Sequence, residues 1–185
     1  MNRSMFRQCV TVVAGIAAIT VGLLGCHHGE AVKPVARSET PPIVVDDAFR
    51  ERAIGLDLDF LEDTSAALNI EDVRAKEHAA RFVPSTKASP NFGYTKSAYW
   101  ARFSLDDRRD TAKRESTDAL ELTLAYAQTD FAELWCVDSA GAQVVHARAG
   151  DHVLLAEWPS TYREPSFAIP AAARSCVVRV ESGHY

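Results

Sequence analysis

Gly93-Tyr94-Thr95-Lys96-Ser97-Ala98-Tyr99-Trp100-Ala101-Arg102-Phe103-Ser104-Leu105 alternates with a period of two. Tyr99, Ala101, Phe103 and Leu105 share one face; Trp100, Arg102 and Ser104 share the other. That period belongs to a half-buried β-strand, because successive side chains leave a strand on opposite sides. The apolar face is expected to enter a core. The other face sets a large aromatic beside a guanidinium. Such a pair is either a ligand surface or a structural pair in which Arg102 covers Trp100.

The same period returns on both sides of this strand. Ile43-Val44-Val45 reads as a short strand. Ile54, Leu56, Leu58 and Phe60 alternate with polar positions, which predicts a strand with Asp57 and Asp59 on its wet side, either a solvated edge or a cation contact. Asn69 ahead of Ile70-Glu71-Asp72-Val73 predicts a short helix to about Ala79, since Asn caps helix N-termini and early acids suit the helix dipole. Leu120, Leu122 and Leu124 alternate with Glu121 and Thr123. Phe131 to Asp138 and Gln143 to Ala149 read as a hairpin about Ser139-Ala140-Gly141. Val153 to Glu164, with Trp158, Tyr162 and Arg163, is irregular. Ser166 to Ile169 and Ser175 to Glu181 close the series. Seven or eight short strands with one helix give an all-β sandwich. Its core is predicted from Leu56, Leu58, Phe103, Leu105, Leu120, Leu122, Leu124, Leu134, Val178 and Val180.

The 185 residues suffice for one folded domain, and the formal net charge of −5 argues against a nucleic-acid partner. Arg3 and Arg7 precede an apolar run, Val10 to Leu24, that ends in Leu23-Leu24-Gly25-Cys26. The run is short for a membrane span and suits a signal peptide. The tetrapeptide resembles a bacterial lipobox, so residues 1–25 are read as a leader and Cys26 as a lipidated N-terminus. Loss of the leader takes two arginines and no acid, moving the charge of −5 to −7. Residues 26–44 hold three prolines and read as a flexible linker; His27-His28 lies there without the spacing or rigidity of a metal site. Residues 45–183 form the domain.

Cys136 and Cys176 are the cysteines that remain in the folded part. Each alternates with core positions. In an oxidising envelope they are either a disulfide or two separate buried thiols. The histidines are scattered, no nucleophile motif is present, and no enzyme activity, metal or cofactor is expected.

The order of short motifs carries a resemblance. It runs from Leu61-Glu62-Asp63-Thr64 through Leu68-Asn69-Ile70-Glu71-Asp72-Val73, Phe82-Val83-Pro84 and Tyr99-Trp100-Ala101-Arg102-Phe103. Asp130-Phe131-Ala132-Glu133-Leu134-Trp135, Gly150-Asp151, Phe167-Ala168-Ile169-Pro170 and Val178-Arg179-Val180-Glu181-Ser182 complete it. The set resembles the type 2 extracellular domain of bacterial seven-transmembrane receptors with diverse intracellular signalling modules (7TMR-DISMED2). The resemblance implies a periplasmic jelly-roll sandwich similar to carbohydrate-binding modules. It also implies a sensor input ahead of a membrane bundle that would continue beyond Tyr185. The lipobox-like start points instead to a free-standing envelope lipoprotein with the same fold. The expected partners are a small-molecule or carbohydrate ligand and the membrane, reached through the N-terminal lipid or a C-terminal bundle. Trp100, Arg102, Glu121, Trp135 and Arg163 are the expected ligand residues.

Overall fold

The computed structural model describes residues 40–93, 95–110, 119–125 and 129–183, together with the backbone of Gln8–Val12. Cys26, His27-His28 and most of the linker lie outside the described residues.

The described residues form eleven strands: β1 (Gln8–Val12), β2 (Ile43–Val45), β3 (Arg52–Ala53), β4 (Asp59–Asp63), β5 (Val83–Pro84), β6 (Ala98–Asp107), β7 (Leu120–Leu124), β8 (Phe131–Val137), β9 (Gln143–Ala149), β10 (Ser166–Ile169) and β11 (Ser175–Glu181). Two short helices, α1 (Ile70–Arg74) and α2 (Lys76–Ala79), join β4 to β5. The larger sheet runs β5-β4-β6-β11-β8-β9, with β2 added alongside β6. The smaller runs β10-β7-β1-β3. Pairing is mostly antiparallel; β1 with its two neighbours and β2 with β6 are the parallel pairs. The fold is an all-β sandwich.

The main core lies between the sheets. Ala101, Phe103 and Leu105 of β6, Leu134 of β8 and Val178 of β11 meet Leu120, Leu122 and Leu124 of β7 and Phe167 and Ile169 of β10. Cys136 and Cys176 face each other across β8 and β11, next to Phe103 on β6. Their sulfurs are bonded and their Cα atoms stand 4.1 Å apart, so one covalent staple crosses the centre of the larger sheet.

Three local expectations need correction. Leu56 is 55% exposed, because Gly55–Asp57 is a turn of 3-10 helix rather than strand. The turn breaks the period of two: Ile54 and Leu58 still reach the core, but Leu56 is thrown outward. Asp59, read as wet, is 3% exposed and accepts hydrogen bonds from Thr40 Oγ1 and, at 3.1 Å, from Arg102 Nε. The predicted single helix is two pieces. Asn69 caps the first as expected, accepting from the Asp72 amide at 3.0 Å while Asp72 Oδ2 accepts from the Asn69 amide at 3.0 Å. At Ala75 the backbone turns extended (φ −60°, ψ 142°), which ends α1 before α2 starts.

Candidate functional site

The five residues expected to bind ligand do not form one open surface. Trp100, Arg102 and Trp135 do share the outer face of the larger sheet, as their alternation required. That face is covered by a second, smaller core in which α1 and the segment after α2 lay Ile70, Val73 and Phe82 over Trp100, Trp135 and Leu61. Trp100 is fully buried and Trp135 is 6% exposed. The two indoles stack at 5.5 Å, and His146 stacks on the far side of Trp135 at 5.3 Å. Arg102 is held by Asp59, donates to the Ala79 carbonyl at 3.1 Å and lies 4.5 Å above the Phe82 ring. The cation that covers Trp100 is Arg179, at 5.7 Å. Glu121 is buried in the smaller sheet opposite Ala168. Arg163 is exposed on the segment between β9 and β10. The set is therefore packing, tether and periphery, with no common site.

A different place gathers the features of a binding groove. Phe60 on β4 and Tyr99 on β6 point to the inner face of the larger sheet, at the end where the main core gives out. The loop Ser85–Gly93 folds back over them. Phe92, 44% exposed, stacks on Tyr99 with centroids 3.8 Å apart and 13° between planes, and meets Phe60 edge-on at 5.0 Å. Glu62, Arg81, Lys87 and Asn91 surround this aromatic wall, and the groove holds about 600 Å³.

The loop is positioned by local chemistry. The Ser85 amide donates to the Leu58 carbonyl at 2.8 Å, and the Ser85 hydroxyl both donates to the Lys87 carbonyl and accepts from the Lys87 amide. Asn91 Oδ1 accepts from the Gly93 amide at 2.8 Å, and Gly93 takes a positive φ of 67°. Gly55 lets the loop press against the body of the domain. A β-carbon there would stand 2.2 Å from the Ala88 carbonyl oxygen and 2.7 Å from Pro90 Cδ.

Glu62 sits directly across from Tyr99 in the β4–β6 pairing and accepts from the Tyr99 hydroxyl at 3.0 Å and from the Ser97 hydroxyl at 2.8 Å. Burial pushes the Tyr99 hydroxyl up to about 12, helped by the hydrogen bond to Glu62 and by its charge. The groove thus offers a neutral phenol held by a carboxylate, an exposed aromatic face, and two cations at its mouth. That is equipment for stacking on a flat or ring-shaped molecule and hydrogen-bonding its polar edge.

Nothing in the sequence pattern groups Phe60, Phe92 and Tyr99 into a site. Tyr99 belongs to the core-facing row, as its alternation predicts, but it sits at the row's rim. Phe92 lay in a turn-rich loop, and an aromatic residue amid Pro90-Asn91 and Gly93 is the one signal that could have drawn attention to it.

The family model described as 7TMR-DISM extracellular 2 matches residues 55–185. The chain belongs to that family. Its members are extracellular sensor domains of receptors and are not normally catalytic; in bacteria the extracellular side is the periplasmic one. The match begins at Gly55, the residue against which the groove loop packs, and takes in both sheets' antiparallel strands from β4 onward. No curated protein matches the chain. Among the described residues no helix is long and apolar enough to cross a membrane.

Proposed function

We propose that this domain is the ligand-sensing input of a bacterial envelope receptor, and that a small molecule or carbohydrate binds in the groove of Phe60, Phe92 and Tyr99. The observation that carries the reading is the exposed Phe92–Tyr99 stack beside Glu62 and Asn91. An exposed aromatic stack next to fixed polar groups is how a protein recognises a ring with hydroxyls or a carboxylate. The domain binds and reports; it performs no chemistry and holds no cofactor or metal.

The leader and lipid attachment are a separate proposal, which favours the alternative of a free-standing envelope lipoprotein with the same fold. Leu23-Leu24-Gly25-Cys26 after an apolar run supports cleavage before Cys26 and lipidation of its sulfur, which would hold the domain to the membrane on the periplasmic side. Cleavage also removes Gln8–Val12, the strand paired with all of β7, and bares that strand's edge. Intact-mass spectrometry of membrane-extracted protein tests this part; a chain that retains Met1 or an unmodified Cys26 refutes it.

Binding is tested by calorimetry against glucose, galactose, N-acetylglucosamine, cellobiose and benzoate. A compound that binds is expected to lose about tenfold or more, equivalent to about 1.4 kcal/mol, on Phe92→Ala. Gly55→Ala is expected to weaken the same compound without touching it, by displacing the loop that carries Phe92. Affinity unchanged in both variants would remove the groove from the account.

A further inference from the structure

The charged lining of the groove is uneven. Among the described residues it holds one carboxylate, Glu62, against two cations, Arg81 and Lys87. This positive excess sits on a chain whose formal net charge is −5. The Arg81 guanidinium and the Lys87 ammonium have no hydrogen-bond or ion-pair partner among the described residues. Glu62, by contrast, is engaged: its Oε1 accepts from the hydroxyls of Tyr99 and Ser97.

Both cations stand on fixed backbone. The Arg81 amide donates to the His78 carbonyl at 2.9 Å, and its neighbour Phe82 is buried in the second core. Val83 and Pro84 then pair with Phe60 and Asp59 of β4. Lys87 is pinned by the Ser85 hydroxyl, which accepts from its amide at 3.2 Å and donates to its carbonyl at 3.0 Å. Each cation is thus delivered to the groove mouth from a set point, and less ordering is left to a ligand that meets it.

The side-chain groups with a fixed hydrogen-bonding role are mostly donors. Arg81 and Lys87 can only donate. Asn91 Oδ1 is taken by the Gly93 amide, which leaves Nδ2 with hydrogens to give. Glu62 Oε2 is the remaining side-chain acceptor of fixed role, while Thr64 and Thr86 add hydroxyls that serve either way. A saccharide hydroxyl needs an acceptor for its proton as well as a donor, so a neutral sugar is poorly matched here. A carboxylate only accepts, and it matches a guanidinium and an ammonium in charge as well.

Resting on the groove reading above, we propose that the ligand is an aromatic carboxylate, its flat ring against the Phe92–Tyr99 stack and its carboxylate held by Arg81 and Lys87. The two protein rings lie 13° from parallel with centroids 3.8 Å apart, and Phe92 is 44% exposed. A planar ring extends such a stack face to face, whereas a puckered sugar ring meets it through a few C–H groups. The Tyr99 hydroxyl, pushed up to about 12, keeps its proton at neutral pH and adds no negative charge to the wall. Glu62 shares its charge with the two hydroxyl protons it accepts, so the cations set the sign of the mouth.

The test is calorimetry on the full chain with benzoate, its neutral counterpart benzamide, glucuronate and glucose. Benzoate is expected to bind about fivefold or more tighter than benzamide, the scale of a charge-assisted contact at an exposed mouth. It is also expected to bind tighter than glucuronate or glucose, and to weaken as salt is added. Arg81→Gln with Lys87→Gln is expected to erase the preference for benzoate over benzamide at an unchanged melting temperature. Arg81→Lys with Lys87→Arg, which keeps the charge, is expected to retain it. Should the neutral pair fold poorly, each single substitution gives the same readout in part. Benzamide as tight as benzoate, a sugar tighter than both, a preference that survives the neutral pair, or no binding of benzoate overturns the proposal. Phe92→Ala tells the two readings apart. A sugar that is lost on Phe92→Ala but kept in the neutral pair retains the groove and removes the anion. Benzoate that is lost in the neutral pair but kept in Phe92→Ala removes the groove itself.

Discussion

Trp100→Ala separates a packing role from a binding role most sharply. Trp100 is fully buried, is gripped by Leu61, Ile70, Val73 and Phe82, and stacks on Trp135 at 5.5 Å. Truncating a buried tryptophan to alanine costs about 3–5 kcal/mol, the sum of lost transfer energy and the cavity left behind. With a urea slope of about 2 kcal/mol per molar, the midpoint should fall by about 2 M. Trp100→Phe should cost much less. It keeps the ring stack, and the indole Nε1 it removes has no hydrogen-bond acceptor, so no bond is lost. The assay is far-UV circular dichroism, because indole emission would change with the substitution itself. A midpoint shift below about 0.5 M for Trp100→Ala would mean that the second core is not packed as described, and that this face is open after all.

The staple, the groove and the β4–α1 link give three more. Replacing both Cys136 and Cys176 with alanine opens a crosslink spanning 40 residues and should cost about 4 kcal/mol, read as a lower melting temperature that matches the reduced unmodified chain; identical melts with and without reductant would refute it. Tyr99 should titrate near 12 by ultraviolet absorbance, and lower in Glu62→Gln, since the carboxylate charge helps hold the proton on. Because its folded value is raised, the stability it contributes is complete below about pH 10 and is lost as the pH climbs to about 12. Asp63 behaves oppositely: burial alone would raise its carboxyl, but hydrogen bonds from the Ser65 hydroxyl and the Leu68 and Ser65 amides, with Arg179 nearby, bring it below its usual 3.8. Its contribution is therefore present above pH 3.8 and vanishes as the pH falls through the lowered value, so Asp63→Asn should flatten the acid limb of a stability profile.

The strands from β6 onward were legible because their side chains alternate without interruption. Ala101, Phe103, Leu122 and Leu134 had only to obey a period of two to be placed in the core. The facing of Trp100 and Arg102 followed from the same rule and holds, and the registers set Arg179 beside both Trp100 and Glu133. Their burial could not be read, because it depends on where α1 lands. Ile70 and Val73 announce a helix with one apolar side, but nothing local says that this side covers an indole thirty residues away. The region before β4 misled for another reason. Ile54, Leu56, Leu58 and Phe60 alternate like a strand, yet Gly55 is needed for the approach of Ala88 and Pro90, and the chain turns there instead. The groove was illegible for a related reason, since its wall joins Phe60, Phe92 and Tyr99 from three separate segments.

The account turns on where a ligand touches. Amide and aromatic resonances of isotope-labelled protein, followed by nuclear magnetic resonance through a titration with the saccharide and benzoate set, report that directly. The groove reading predicts shifts concentrated at Phe60, Glu62, Asn91, Phe92 and Tyr99, with Trp135, His146 and Arg163 unmoved. Shifts centred on Trp135 and His146, or on Arg163, with Phe92 and Tyr99 silent, would contradict it.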